Sequence, residues 1–188
     1  MVKEMSKFRI FAEKPLDKYY LNSKKEEIKT FFKQKSEEEL IEIKDNYITQ
    51  LMDEYKIIIP QLNYENIHNE VEEVDDVDIY VFKIPFTSNN IEYFELEPST
   101  GLLWSYPVYI EDQELCFDIV DDNFTVEELK MKYKDIVDKI KERSDNVNNL
   151  IKSYNNDLEK FIESEYNNRN NRLLNRKKKS DALGLSKN

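Results

Sequence analysis

The residues able to carry covalent or metal chemistry are few. His68 is the only histidine and Cys116 the only cysteine in 188 residues. A serine or cysteine nucleophile needs a base beside it, so any triad would have to run through His68. No nucleophile elbow is present, and Cys116 sits between Leu115 and Phe117 in an alternating, strand-like stretch. The positions four to seven residues ahead of His68 hold no arginine, so an arginine-led ribonuclease motif fails as well. A structural zinc needs about four thiolate or imidazole ligands, and the chain has two such side chains in all. Magnesium on carboxylates is the remaining metal chemistry: Glu95 and Glu97 are expected to share one strand face, with Asp118 on a later strand. The acid-x-Lys spacing of a nuclease is missing, because Lys83 follows Val81 and Phe82. The only glycines are Gly101 and Gly184, too few for either glycine-rich phosphate loop. The sequence therefore points to no catalytic residue, no cofactor and no resident metal, and to a non-enzymatic protein.

Charge offers more. The net charge is −11, yet residues 167–188 carry seven basic side chains against Asp181 alone, which makes that end +6 and leaves −17 for the rest. An acidic body repels phosphate backbones, so nucleic acid would have to meet the basic end. Arg169, Arg172 and Arg176 recur at three and four residues, which puts them on one helical face among Asn167, Asn168, Asn170 and Asn171. That face suits a solvated helix end favoured by the dipole, an acidic partner surface, or nucleic acid. The acidic surface could be the segment 65–78 of this chain or of another copy. That segment holds seven carboxylates and reads as a solvated linker. Trp104, Tyr106, Tyr109 and Tyr93 read as sheet aromatics that pack the core or present a partner surface.

These groups must be positioned by an α+β fold. Hydrophobic residues make up 39% of the chain, enough to fill a core. Residues 1–22 form an entry segment that adds an edge strand or wraps the domain. Ser23 with Glu26 and Ser36 with Glu39 match the capping box, so two helices are expected, the second over 37–56 and ended by Pro60. Period-two patterns over 78–86, 91–97, 102–110 and 114–120 predict a four-stranded antiparallel meander. The connections at Ser88-Asn89-Asn90, Pro98-Ser99-Thr100-Gly101 and Glu111-Asp112-Gln113 suit its hairpins.

From Thr125, with Glu128 a further capping box, neither glycine nor proline interrupts the chain before Gly184, and the basic last turns suit a helix C-terminus. With Val126 at heptad position a, Tyr133, Ile140, Val147, Tyr154 and Phe161 follow at a, while Leu129, Ile136, Arg143, Leu150 and Asp157 fall at d. Unbroken to about Lys179, such a helix spans on the order of 80 Å. That outruns a small domain, so part of the stripe is expected to meet another helix of this chain, a second copy or a different protein.

Ser36-Glu37-Glu38-Glu39-Leu40, Ile84-Pro85-Phe86-Thr87 followed by Phe94-Glu95-Leu96-Glu97-Pro98-Ser99-Thr100, and the ending Arg172-Leu173-Leu174 to Ala182-Leu183-Gly184-Leu185 carry a resemblance. Together they resemble an uncharacterised family of bacterial proteins associated with mobile and anti-phage defence loci. The family's ending continues past the Ala-Leu-Gly segment with a proline and further basic residues, where this sequence has Ser186-Lys187-Asn188. The resemblance covers most of the chain, implies bacterial origin and supplies no catalytic residues.

The combined expectation is an α+β globular domain over 1–124 and a long amphipathic helix with a basic tail over 125–188. The helix would bind a protein partner or a second copy through residues 125–179, with Arg143, Val147, Leu150, Tyr154, Leu158, Phe161, Arg169, Arg172 and Arg176 as the contact residues. The alternatives are a nucleic-acid binder using the basic helix end and a metal-dependent enzyme on the sheet carboxylates. Apolar runs such as Ile57 to Ile59 fall far short of the roughly 18 residues a membrane span needs. With one cysteine and an N-terminus that never becomes continuously apolar, the expected location is the cytoplasm.

Overall fold

Alternating side chains build the sheet. In the computed structural model, which describes residues 6–43, 46–98 and 104–184, the central strands are β5 (Val77–Thr87) and β8 (Glu114–Val120), paired antiparallel. Ile84, Phe86, Leu115, Phe117 and Ile119 are buried on one face. β7 (Pro107–Glu111) pairs with β8, and β1 (Phe8–Arg9) closes that edge against β7. On the other side of β5 lie β3 (Gln61–Leu62) and β4 (His68–Val74). A separate two-stranded parallel ladder joins β2 (Lys14–Pro15) to β6 (Leu96–Glu97). The α-helices among the described residues are α1 (Asn22–Gln34), α2 (Glu37–Ile43), α3 (Tyr47–Tyr55) and α4 (Val126–Ala182).

The expected fold class is the one found: an antiparallel sheet, several N-terminal helices and one long C-terminal helix. The strand assignments differ in detail. The acidic segment read as a linker forms β4, because Asp75 and Asp76 take positive φ values of 52° and 64° and close a tight hairpin between Val74 and Val77. Residues 91–97 hold a 3₁₀ helix (Ile91–Glu95) before the short β6. The turn placed at Ser99-Thr100-Gly101 and the start of the strand at Leu102 lie outside the described residues.

The helix starts divide in the same way. Ser36 with Glu39 and Thr125 with Glu128 form reciprocal capping boxes, the Glu39 and Glu128 carboxylates accepting from the Ser36 and Thr125 backbone N–H at 2.7 and 2.8 Å. Ser23 does not cap, because a π-helical turn (Leu16–Leu21) leads straight into α1 and the Ser23 hydroxyl donates back to the Tyr20 carbonyl. The single helix expected over 37–56 is two, and the second stops at Tyr55, before Pro60. At the far end α4 stops at Ala182, and Gly184, at φ +64°, donates its N–H to the Asp181 carbonyl.

Packing divides the chain into two compact units, one from residues before 20 and 58–151, the other from residues 20–57 and from 152 on. α4 contributes to both. In the first unit Tyr133 of α4 lies over the Phe82 and Phe117 rings, 4.7 Å from the former, while Ile136, Ile140 and Val147 are buried. Tyr93 is fully buried and pins the helix: its hydroxyl donates to Asn148 Oδ1 at 2.7 Å and accepts from Ser144 Oγ at 2.8 Å. The second unit is helical. Tyr166 stacks on Tyr47 at 4.5 Å, and Phe32 meets both rings edge-on. Asn155 of α4 clasps the extended Ile57 backbone, accepting its N–H and donating to its carbonyl.

Two outcomes follow. Leu158→Ala should lower unfolding stability by about 2 to 5 kcal/mol, as expected for a buried leucine, and Tyr93→Phe by about 1 to 3 kcal/mol, through the orphaned Ser144 and Asn148 groups; denaturant titration checks both. Hydrogen bonds from the backbone and side chains of Ser36 and Thr125 hold the Glu39 and Glu128 carboxyls below their ordinary 4.5. A depressed folded value means that this stabilisation is complete above the unfolded pKa and is lost as pH falls through the folded one. Helicity should therefore drop on acidification below about 4.5, and Glu39→Gln with Glu128→Gln should flatten that drop in circular dichroism.

Candidate functional site

The carboxylates and the thiol considered for catalysis are spread through the first unit and engaged elsewhere. Asp118 accepts from Lys7 at 2.6 Å, and Glu95 lies 2.8 Å from Lys14. Glu95 belongs to the 3₁₀ helix and Glu97 to the parallel ladder, so the shared strand face expected for them is absent. Among the described residues no group of three His, Cys, Asp or Glu side chains is placed to hold a metal. Burial pushes the Cys116 thiol up to about 12, which keeps it protonated and unreactive. His68 is exposed on β4, its Nε2 3.5 Å from Glu114. Of the four aromatics, Tyr93 is core, Trp104 stacks on Tyr106 with Lys139 nearby, and Tyr109 lies beneath Lys7.

The helix stripe is also accounted for. Val147, Tyr154 and Leu158 are buried by the chain itself, so at these positions the surface expected to need a partner is already covered. Arg143 is 3% exposed inside the first unit; burial lowers its pKa, and the neighbouring Glu97 carboxylate opposes the shift. Leu150 and Phe161 are half-buried, and Asp157 is exposed. The cause is geometric. A straight helix advances about 20° per heptad relative to a 3.5-residue repeat, so the buried line runs Val147, Ile151, Tyr154, Leu158, Ile162, Tyr166 and leaves Phe161 at its margin.

Beyond Tyr166 the same line changes character. Its next position is Arg169, whose Nε and Nη2 donate to the Lys35 carbonyl at 2.9 and 2.6 Å and so satisfy the carbonyl end of α1. Past this contact Arg172 and Arg176 are exposed. With Lys33 of α1, Lys179 and the amides of Asn168, Asn171 and Asn175, the three arginines line a groove of about 740 Å³ within the second unit. Leu173 supplies its one apolar side chain, and no carboxylate is among its described lining residues. Lys177 lies outside it, 3.6 Å from Glu37. The structure thus gathers Arg169, Arg172 and Arg176 into one site. Lys33, nearly 140 positions away in sequence, is the member that spacing could not reveal.

Such a lining can attract anions. Guanidinium groups bind carboxylates or phosphates in a bidentate fork, and neighbouring amides add donors without adding charge. No helix among the described residues is long and apolar enough to cross a membrane. The chain matches no protein-family model, no curated protein and no solved structure.

The three arginines should separate in a stability assay. Arg169→Ala removes two charge-assisted bonds to a helix end and should cost about 1 to 2 kcal/mol, reduced by partial exposure. Arg172→Ala and Arg176→Ala should stay within about 0.5 kcal/mol of the parent. Thermal melts of the three variants check the order.

Proposed function

We propose that this chain is a non-enzymatic binding subunit that docks an acidic protein surface in the basic groove at the end of α4. The setting suggested by the bacterial family it resembles is an anti-phage defence or stress system. One observation carries the reading: five cations and three amides line a single groove in a chain whose first 166 residues sum to −17. A groove with that composition rewards carboxylates, and rim charges of this kind act mainly on association rate and partner choice. The surrounding charge favours a protein over nucleic acid, because an acidic body opposes a long phosphate backbone while a short acidic patch need meet only the groove. Among the described residues no aromatic side chain lines the groove to stack bases.

Fluorescence anisotropy with a labelled oligoglutamate peptide and a labelled single-stranded oligonucleotide of equal charge tests this. The peptide should bind at low ionic strength, and Arg172→Glu with Arg176→Glu should weaken it by at least about tenfold. Tighter binding of the oligonucleotide would favour the nucleic-acid reading, and binding of neither would overturn both.

A further inference from the structure

The acidic counterpart that such a groove needs is present in this chain. The β4–β5 hairpin carries Glu72, Glu73, Asp75 and Asp76 at and beside its tip, all exposed. The two turn aspartates hold positive φ, a geometry that asparagine or glycine satisfies at least as well. Their carboxylates are therefore not required by the turn, and four negative charges crowded on one ribbon end repel one another. The paired backbone from Val74 and Val77 inward holds this end in a defined shape, so little order would have to be imposed on docking.

We infer that the groove of one copy receives the acidic hairpin tip of a second copy, so that the chain associates with itself head to tail. The inference rests on the reading of the groove given above. Each copy carries one groove, with Lys33, Arg172, Arg176 and Lys179, and one hairpin with the opposite sign. Contacts between unlike patches close reciprocally into a dimer or continue into a ring or an open chain of copies, according to the rotation that relates successive copies. The contact is electrostatic and largely exposed, which makes it weak and sensitive to salt. Pairing of β4 with the β4 of another copy is disfavoured, because it would set glutamates against glutamates.

Sedimentation velocity of the full chain over a concentration series tests the inference. The weight-average coefficient should rise with concentration at low ionic strength and lose that rise at high salt. Arg172→Glu with Arg176→Glu should sediment as a monomer, and so should Glu72→Lys and Glu73→Lys combined with Asp75→Asn and Asp76→Asn. An equimolar mixture of the two variants should recover association, since each then offers what the other's groove or hairpin accepts. A wild-type chain that stays monomeric at every concentration in low salt overturns the inference, as does association that neither variant disturbs. Retained oligoglutamate binding by a monomeric wild-type chain would leave the groove's anion role standing and remove only the second copy as its occupant.

Discussion

The second unit depends on helix ends that cannot satisfy themselves. α1, α2 and α3 are short, and each leaves its last carbonyls without intrahelical donors. α4 supplies them: Arg169 donates to Lys35 O just beyond α1, Tyr166 to Leu40 O in α2, and Tyr154 to Tyr55 O at the end of α3. Three donors twelve and three residues apart on one helix thereby tie three other helices to it. The apolar side chains between them, Leu158 and Ile162, fill the space so defined. The hydrogen bonds add modest net energy, and their larger effect is on register, since a one-residue shift of α4 would strand every one of these carbonyls at once.

The same arrangement explains why a basic groove opens where it does. Along α4 the line Tyr154, Leu158, Ile162, Tyr166 is apolar and covered, and at Arg169 it becomes cationic. The change coincides with the carbonyl end of α1. A helix continuing past its cover must be polar there, and a helix C-terminus favours cations. Folding alone accounts for basic residues in the last turns. It does not account for four of them converging with Lys33 on one concavity whose described lining lacks a carboxylate, and that excess motivates a binding role.

The parts legible in the sequence were those set by local periodicity and local hydrogen bonding. Thr125 and Glu128 announced the start of α4, Gly184 its end, and the alternation through Leu115, Phe117 and Ile119 the central strand β8. What escaped was set at a distance. Glutamate-rich β4 has low strand propensity and forms because β5 offers a pairing edge. Ser23 looked like a cap because the capping signature cannot see a π-helical turn running in from Leu16. A heptad register assigned Phe161 to the buried seam because it assumed supercoiling about a partner, whereas a helix packed within its own unit keeps a period nearer 3.6 and buries Ile162 instead. The arginine face was visible from spacing, but its completion by Lys33 required the fold of α1 against α4.

That drift in period bears on the kind of recognition available to this protein. A seam held open for a partner would keep a and d positions apolar and exposed along its length. In α4 the apolar positions from Ile136 to Tyr166 that follow the 3.6-residue line are buried by the chain itself. The large apolar side chains left exposed, among them Ile41, Val71, Val120 and Met131, come from α2, β4, β8 and the start of α4, and isolated exposure of this kind is ordinary in folded proteins. With the long stripe spent on the protein's own stability, the groove at Arg172 and Arg176 and the acidic hairpin are the surfaces whose composition exceeds what folding requires. Both are charged, so specificity would come from sign and geometry, with affinity set by the ionic strength of the surroundings.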